Sequence, residues 1–395
     1  MTTTPTKQHD APITLNAPIA FAGGGTGGHI YPALAINEQL STDPATPPPL
    51  FIHSTREIDR TILEPTGLPH APIPATTFSL QPAKLLAFAR AWRPAVNAAR
   101  DLLTTHGTRA LVLMGGFVTA PAAAAAKSLD IPTLLVNLDA VPGKANRLAA
   151  HTATRIVSAA QSSSVPASWQ SIPPIVRKAA LPHTDAQTAR TKLGLQPQHH
   201  TLLVTGGSQG ATGINNMMIR LAPEIATLNE RLNAAGRNPW QIIHLAGPKH
   251  AETVRAAYAQ HNINAAVHEL LTDMASAWAA ASLALSRAGA SSVAEAWASR
   301  TPALFLPYPH HKDNHQALNA APLTKAGAAI LRTDHDDTTR NATDAGRVLL
   351  SLLQQPNQDL EAMQNAAQGL PTADGARRAA QIVAELANRT TNRER

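Results

Sequence analysis

Each half of the chain opens with the same three features, and this repeated opening restricts the fold more than any other property of the sequence. A short apolar run leads into a glycine-rich turn at residues 21–28 and again at residues 204–210, and a helical stretch follows each turn. Strand, glycine turn and helix in this order form the first unit of a parallel sheet covered by helices. The sequence therefore predicts two related α/β domains, each a Rossmann-like parallel sheet.

Other apolar runs alternate with Ala- and Leu-rich helical stretches in both halves. A chain of 395 residues is too long for one compact core, which also favours two domains. The Pro- and Ser-rich residues 162–174 interrupt the alternation and are interpreted as the interdomain linker. We predict strands at residues 19–22, 50–54, 111–114, 133–136, 155–158, 202–205, 242–246, 283–286 and 303–306.

The composition limits the classes of partner and of chemistry. A net charge of +7 and a pI near 10.0 favour an anionic partner, but no basic run or known module supports nucleic-acid binding. The chain has no cysteine, which excludes disulfides and thiolate chemistry. Residues 1–18 resemble neither a signal peptide nor an anchor, and no apolar run of about 18 residues could span a bilayer. We expect a soluble or peripheral cytoplasmic protein.

The first glycine turn has five glycines among the seven residues from Gly23 to His29. Glycine lets the backbone approach a ligand closely, and a helix start adds N–H groups that suit a phosphate or a sugar. The spacing matches neither the dinucleotide fingerprint nor the P-loop. A tight turn that serves helix packing alone is the competing interpretation, but the glycine density and the closing histidine favour a ligand site.

Two further turns extend the pattern. Residues 206–210 place a hydroxyl and an amide, Ser208 and Gln209, at a helix start. In residues 286–295, Glu295 lies one helical turn after Ser291, where an acidic side chain commonly binds ribose hydroxyls. A capping box from Ser292 to Glu295 explains this third motif equally well.

Taken together, the motifs resemble those of one known family in order and in spacing. They are Gly24-Gly-Thr-Gly-Gly-His29, Gly206-Gly-Ser-Gln-Gly-Ala211, the motif at 286–295, Pro302-Ala-Leu-Phe-Leu-Pro307, His311-Lys-Asp-Asn-His-Gln316 and Asn319-Ala. The chain resembles the MurG-type UDP-N-acetylglucosamine–N-acetylmuramyl-(pentapeptide) pyrophosphoryl-undecaprenol N-acetylglucosaminyltransferase family over most of its length, from residue 19 to about residue 380.

The resemblance implies a GT-B fold, in which two Rossmann-like domains face each other across a cleft. Residues 1–18 would be a disordered tail, residues 19–177 the acceptor- and membrane-associated domain, and residues 178–378 the UDP-GlcNAc-binding domain. Residues 379–395 would form a helix that returns to the first domain, followed by a tail.

The resemblance also assigns substrate-binding positions. Thr26, Gly27 and Gly28 would face the sugar and diphosphate, and Arg177 would lie at the domain junction. The positions implied for the second domain are Ser208 and Gln209 at the phosphates, Leu271 beside the uracil, Ala290, Ser291, Ser292, Val293 and Ala294 around the nucleoside, Glu295 on the ribose, and His315 and Gln316 at the N-acetylglucosamine.

Two segments depart from the family's pattern. Residues 136–139 read Val-Asn-Leu-Asp where the family has His-Glu-Gln-Asn, so Asp139 replaces an asparagine that touches the donor sugar and Asn137 replaces a glutamate. Residues 173–175 read Pro-Pro-Ile where the family usually has Gly-Asn before its Pro-Val-Arg. Both changes put the local geometry in question.

The reaction implied is the inverting transfer of N-acetylglucosamine from UDP-GlcNAc to the 4-hydroxyl of the muramyl sugar of lipid I, which makes lipid II for peptidoglycan. His29 is the first candidate for the general base and Asp139 the second, while a packing or capping role is the alternative for His29. Helix N-termini can stabilise the leaving diphosphate, so no metal or other cofactor is expected. The run from His310 to Asp313 lacks further metal ligands nearby in the sequence.

A predicted amphipathic helix suggests how the protein meets its lipid-linked acceptor. Leu85, Phe88 and Trp92 fall on one helical stripe, with Lys84, Arg90 and Arg93 flanking it. Such a helix can dock on an anionic membrane, and with the family resemblance we expect peripheral binding at the cytoplasmic face of the inner membrane. A core-facing stripe is the alternative.

Three other functions remain open from the sequence. The first is another UDP-sugar transferase of the same fold that acts on a glycolipid, such as a diacylglycerol glycosyltransferase. The second is a UDP-GlcNAc 2-epimerase, which needs no acceptor. The third is a non-catalytic nucleotide-sugar-binding protein, suggested by the altered segment at residues 136–139.

Overall fold

The computed structural model describes residues 13–42, 45–77, 81–207, 210–311, 313–354 and 356–393. In these ranges the chain forms two α/β domains, each built on an all-parallel sheet. The prediction of two Rossmann-like domains is confirmed. No helix in the described ranges is long and apolar enough to cross a membrane.

The first domain is built on a seven-stranded sheet. The strands of this sheet are β2 (Ile19–Gly23), β4 (Leu50–Ser54), β5 (His70–Ile73), β6 (Ala110–Gly115), β7 (Thr133–Asn137), β8 (Arg155–Ser158) and β9 (Gln170–Ser171). The domain also contains the strands β1 (Ile13–Leu15) and β3 (Leu40–Thr42). Its helices are α1 (Gly27–Asn37), α2 (Glu57–Leu63), α3 (Pro82–His106), α4 (Thr119–Ser128) and α5 (Lys144–Ala150). The sheet order is β5-β4-β2-β6-β7-β8-β9, and β1 pairs separately with β3.

The second domain is built on a six-stranded sheet in the order β12-β11-β10-β13-β14-β15. These strands are β10 (His200–Thr205), β11 (Trp240–Leu245), β12 (Ala265–His268), β13 (Leu283–Ser286), β14 (Ala303–Phe305) and β15 (Ala329–Leu331), and the helices are α6 (Ala186–Lys192), α7 (Thr212–Ala234), α8 (Ala251–Gln260), α9 (Met274–Ala280), α10 (Ala290–Ser299), α11 (His315–Lys325), α12 (Thr338–Asn341), α13 (Arg347–Gln354) and α14 (Glu361–Gln368). The helix that follows them, α15 (Gly375–Arg393), packs on the first domain.

Each sheet has one point where the strand order reverses. In the first sheet the chain moves outward from β2 through β4 to β5 and then from β6 through β7 to β8, so β2 and β6 are neighbours at the reversal. In the second sheet β10 and β13 hold the same position. Connections that leave two neighbouring strands toward opposite sides open a crevice at the carboxyl ends of those strands, which is where open α/β sheets bind ligands.

The last helix of the chain completes the core of the first domain. Ala379, Val383 and Ala387 of α15 are fully buried in the cluster that also contains residues of β2, β6 and β7. At the start of α15, Gly375 donates its N–H to Pro174 O at 3.1 Å, and a Cβ on Gly375 would collide with Pro173 O. The two segments that cross between the domains therefore lie in contact.

Two predicted segments differ from the structure. Within the predicted tail, residues 13–18 contain β1, and Leu15 is fully buried because it packs on the core of the first domain; residues 1–12 lie outside the described residues. The predicted linker at 162–174 contains the edge strand β9, with Trp169 and Ile172 buried beside it. The Pro and Ser content of this segment favours a loop, and the strand forms because the tertiary fold places β8 beside it as a pairing partner. The local sequence therefore did not predict β9.

Candidate active site

A buried carboxylate that the sequence analysis missed shapes the glycine turn after β2. Asp59 of α2 accepts hydrogen bonds from the N–H of Gly25, at 2.9 and 2.8 Å to its two oxygens, and from the N–H of Ser54 at 3.0 Å. The Gly25 N–H thus points into the protein. Thr26 and Gly28 are exposed at the start of α1, so the ligand-facing part of this turn is the helix start.

His29 has the geometry of a neutral general base. Its Nδ1 lies 3.2 Å from Gly24 O, and because a carbonyl oxygen can only accept, the neutral ring carries its proton on Nδ1 and its lone pair on Nε2. Burial lowers the pKa of His29, against the opposing effects of Asp139, the Gly24 carbonyl and Asp59. The imidazole is therefore unprotonated near pH 7.

A second glycine pair, at the end of the neighbouring strand β6, receives the His29 ring. A Cβ on Gly115 would lie 2.9 Å from His29 Cδ2, and Gly116, with φ of +78°, would collide with Gly24 O if it carried a side chain. The turns after β2 and β6 thus interlock at the reversal point of the first sheet. Two glycines directly after a predicted strand were the sequence signal for this contact.

The altered segment after β7 places Asp139 at the domain boundary. Asp139 Oδ1 accepts a hydrogen bond from Asn319 Nδ2 of the second domain at 3.0 Å, and its charge acts on the His29 ring. Asn137, in contrast, is fully buried and bonds to Asp139 O at 2.8 Å and to Ser158 Oγ at 2.9 Å. Asn137 is therefore a structural residue, while Asp139 is the half-buried acidic group beside the candidate base.

The second domain has a cavity of about 420 Å³ at the carboxyl ends of its strands. The starts of α7, α10 and α11 converge on it, through Thr212, Ser292 and Gln316. Each helix start contributes N–H groups and the positive end of the helix dipole, which favour a bound anion. Three such ends around one cavity make it suited to a diphosphate.

The glycine turn after β10 forms one wall of this cavity. Gly206, Gly207 and Gly210 line it. Gly210 has φ of +72°, and a Cβ there would collide with Ala246 O, so the position requires glycine. The two predicted phosphate ligands of this turn, Ser208 and Gln209, lie outside the described residues.

An arginine that sequence reasoning did not single out lies on the opposite wall. Arg287 forms a 2.7 Å ion pair with Asp334 and donates to Leu306 O at 2.9 Å. Although burial opposes it, hydrogen bonds from Asn341 and from the Asp336 N–H, together with Arg287, lower the pKa of Asp334. Asp334 is thus a charged carboxylate that holds the guanidinium at the cavity wall, and its partners come from sequence positions too distant to suggest the pair.

The predicted ribose ligand Glu295 lies on α10. Its Oε2 accepts a hydrogen bond from Trp278 Nε1 at 2.8 Å. Burial raises the pKa of Glu295, while the Trp278 hydrogen bond and the charge of Arg177 oppose the rise. The capping-box alternative is wrong, because α10 begins at Ala290 with Gly289 as its N-cap, which places Ser292 inside the helix.

Arg177 joins the two domains as its predicted position implied. Its guanidinium carbon lies 4.0 Å from the centre of the Tyr31 ring on α1, in the geometry of a cation–π contact. Its charge also acts on Glu295, so Arg177 lies between α1 of the first domain and the predicted nucleoside site.

The other predicted contacts of the second domain surround the same region. Gln316 lines the cavity, and its Oε1 accepts the Tyr308 N–H at 2.8 Å. His315 Nδ1 lies 2.7 Å from Asp313 Oδ1, so a carboxylate fixes this ring. The remaining members of the set are Ser291, half-buried near the start of α10, Val293 and Ala294, buried further along α10, and Leu271, half-buried against the domain core.

The run that suggested a metal site is dispersed in the structure. His310 Nε2 lies 3.5 Å from Asp336 Oδ2, whereas the His311 ring is tilted against the His315 ring with ring centres 4.4 Å apart. Among the described residues, no group of three or more histidine or acidic side chains could hold a metal ion.

The predicted membrane stripe lies outside the core. The core-facing residues of α3 are Ala95, Ala99 and Leu103, all in its second half. In the first half, Leu85 is 41% exposed, and Phe88 contacts Trp92 with ring centres 5.6 Å apart. Phe88 and Trp92 are half-buried, and none of the three stripe residues belongs to a core cluster of the described residues, so membrane contact stays a prediction.

Two α/β domains with parallel sheets, with His29 at the reversal point of the first and a cavity lined by three helix starts in the second, are typical of a glycosyltransferase of the GT-B fold. Known proteins place the chain within this class. The glycosyltransferase family 28 N-terminal domain matches residues 19–158, and the glycosyltransferase family 28 C-terminal domain matches residues 201–379. The crystal structure of MurG from Acinetobacter baumannii superposes with a TM-score of 0.69 at 25% identity, covering 95% of this chain and 100% of that one.

Curated relatives share one enzyme name, UDP-N-acetylglucosamine–N-acetylmuramyl-(pentapeptide) pyrophosphoryl-undecaprenol N-acetylglucosamine transferase. The relative from Corynebacterium efficiens is 34% identical over 81% of this chain and 84% of its own length. The relative from Cupriavidus metallidurans is 32% identical over 93% of this chain and 97% of its own length. The chain belongs to this family of N-acetylglucosaminyltransferases, and the resemblance found in the sequence motifs is confirmed.

Proposed function

We propose that this protein transfers N-acetylglucosamine from UDP-GlcNAc to the 4-hydroxyl of the muramyl sugar of lipid I, with inversion, and so makes lipid II. The observation that carries the proposal is the convergence of three helix N-termini on the cavity of the second domain. Family membership supports both substrates, because the relatives' shared name specifies them.

The base and the leaving group are served by different domains. His29 Nε2 would take the proton of the acceptor hydroxyl, while Asp139 stabilises the imidazolium that forms. UDP would leave into the cavity, where the three helix N-termini and the guanidinium of Arg287 would stabilise the negative charge of the diphosphate. This arrangement requires no metal ion for departure of the diphosphate, and activity is expected to persist in EDTA.

The first half of α3 would hold the protein at an anionic membrane surface. Leu85 and Leu86 are 41% and 51% exposed, next to the basic residues Lys84 and Arg90. Leu148 on α5 is 52% exposed, and α5 packs on the same core cluster of the first domain as α3. Exposed apolar side chains flanked by cations favour the headgroup region of a membrane, so we place the protein peripherally at the cytoplasmic face.

A direct transfer assay tests the proposal. Radiolabelled UDP-GlcNAc and a short-chain lipid I analogue should yield labelled lipid II analogue, and omission of the acceptor should abolish the release of UDP. Turnover of UDP-GlcNAc without acceptor would instead support an epimerase, and transfer to diacylglycerol in place of lipid I would support another glycolipid glycosyltransferase. Binding of UDP without transfer would indicate a non-catalytic protein.

A paired substitution then separates the roles of the two candidate groups. Asp139→Asn restores the amide found in the family; it should be tolerated if Asp139 only holds the sugar, and it should lower kcat if the Asp139 charge stabilises the His29 imidazolium. His29→Ala should be the severely impaired variant. An inactive Asp139→Asn beside an active His29→Ala would reverse the assignment of the base.

A further inference from the structure

Asn319 belongs to the motif that carries the family resemblance, yet neither its sequence position nor the proposed reaction gives it a role. Its side chain is 6% exposed, and both ends of its amide are used. Nδ2 donates to Asp139 Oδ1 at 3.0 Å and to Ala288 O at 3.3 Å, while Oδ1 accepts the N–H of Ala140 at 2.7 Å. Two of these three bonds cross from the second domain to the first.

The segments that meet at Asn319 are those that would contact the substrates. Asp139 and Ala140 lie in the loop after β7, beside the His29 ring. Ala288 lies in the turn that leads into α10, the helix of the predicted nucleoside site. Asn319 itself is one helical turn after His315 on α11, whose start lines the diphosphate cavity. A single side chain therefore ties both halves of the site together.

The carboxylate of Asp139 depends on this contact for its orientation. The loop backbone is held from within its own domain, since Asn137 Nδ2 donates to Asp139 O at 2.8 Å and Ser162 Oγ donates to Ala140 O. The carboxylate oxygen, in contrast, takes its hydrogen bond from Asn319. A carboxylate accepts but cannot donate, so the amide is suited to this place because it gives one N–H to Asp139 and takes one from Ala140.

We propose that Asn319 is a positioning residue that orients the Asp139 carboxylate toward the reacting groups when the two domains are closed. The inference rests on the proposed function in one respect, namely that Asp139 acts in transfer. It extends that function by making the acceptor-side carboxylate depend on a residue of the donor domain, so the site is complete in the closed arrangement of the domains.

A double-mutant cycle tests this dependence. Asn319→Asp preserves volume and the acceptor for Ala140 but replaces the N–H donors to Asp139 and Ala288 with a second carboxylate, and it should lower kcat at least about tenfold with the UDP dissociation constant changed less than about twofold. In an Asp139→Asn background the same substitution should cost less than about threefold, because the reversed amide–carboxylate pair can form. Asn233→Asp, at an exposed position near the far end of α7, is the matched control and should leave kcat unchanged.

A second measurement does not depend on turnover. Hydrogen exchange at the Ala140 amide should accelerate at least about tenfold in Asn319→Ala, because this N–H loses its acceptor. Any of three results would overturn the inference. The first is an equal effect of Asn319→Asp on kcat in both backgrounds, and the second is a loss of UDP affinity as large as the loss of kcat. The third is unchanged hydrogen exchange at the Ala140 amide in Asn319→Ala. A wild-type protein that transfers nothing would refute the proposed function, and the exchange measurement would still decide whether Asn319 couples the domains.

Discussion

Substitution of Glu295 tests the nucleoside site at one carboxylate. A lost charge-assisted hydrogen bond to a ribose hydroxyl costs about 1.5–3 kcal/mol, which corresponds to a roughly 10- to 150-fold weaker affinity for UDP. In the wild-type protein Trp278 Nε1 donates to Glu295 Oε2 at 2.8 Å. Glu295→Gln keeps the side-chain volume and an acceptor for this indole N–H, so the variant should bind UDP more weakly but keep the stability of the wild type. Glu295→Ala also strands the buried indole N–H, which should lower the free energy of unfolding by a further 1–3 kcal/mol or so, about the cost of an unsatisfied donor.

The assay combines titration calorimetry with UDP, initial rates against UDP-GlcNAc and thermal unfolding. Both variants should show a raised KM for the donor and a kcat close to that of the wild type. Glu224→Gln, at an exposed position on α7, is the control for loss of a carboxylate. A stable Glu295→Gln with wild-type UDP affinity would show that Glu295 serves only to hold Trp278, and the reasoning would fail.

Three further predictions concern the base, the membrane face and the core. His29→Ala should lower kcat roughly 10²–10⁴-fold with little change in UDP affinity. Because burial lowers the His29 pKa, the rate of the wild-type protein should fall with decreasing pH only below about pH 6.5. A variant whose residual rate shows the same fall at acid pH would contradict the assignment. Replacing Leu85, Phe88 and Trp92 with Ser or Gln should weaken sedimentation with anionic vesicles but spare turnover of a water-soluble acceptor, whereas a lower melting temperature with unchanged vesicle binding would count against a membrane role. Burial lowers the pKa of His244 to about 3, whereas a histidine in the unfolded chain protonates near pH 6.5. The contribution of His244 to stability should therefore be complete above that pH and should have fallen by about 2 kcal/mol at pH 5, and denaturant unfolding should show a weaker fall with pH in His244→Gln.

The features that could be predicted from the sequence are those that one short segment specifies alone. The glycine turns are visible because few other residues allow such close approach of backbone, and the strands that precede them are short apolar runs bounded by turn residues. The start of α1 and the place of Glu295 on a helix followed from these local signals.

The features that were missed depend on partners distant in sequence. Asp59 is an ordinary helix residue until the fold brings it under Gly25, 34 positions earlier in the chain. The ion pair between Arg287 and Asp334 likewise joins two separate strand-to-helix connections, and the bridge from Asn319 joins α11 of the second domain to Asp139 in the loop after β7 of the first. Local pattern carries no information on such pairs, because the tertiary fold decides which segments come together.

The return of α15 to the first domain has a consequence for the order in which the protein folds. Chains leave the ribosome from the N-terminus, and domains generally fold as units as they emerge. The core of the first domain, however, includes Ala379, Val383 and Ala387, which are made after the whole second domain. During synthesis the first domain must therefore wait with an uncovered apolar surface beside β6 and β7, and it closes its core only when the last helix is released.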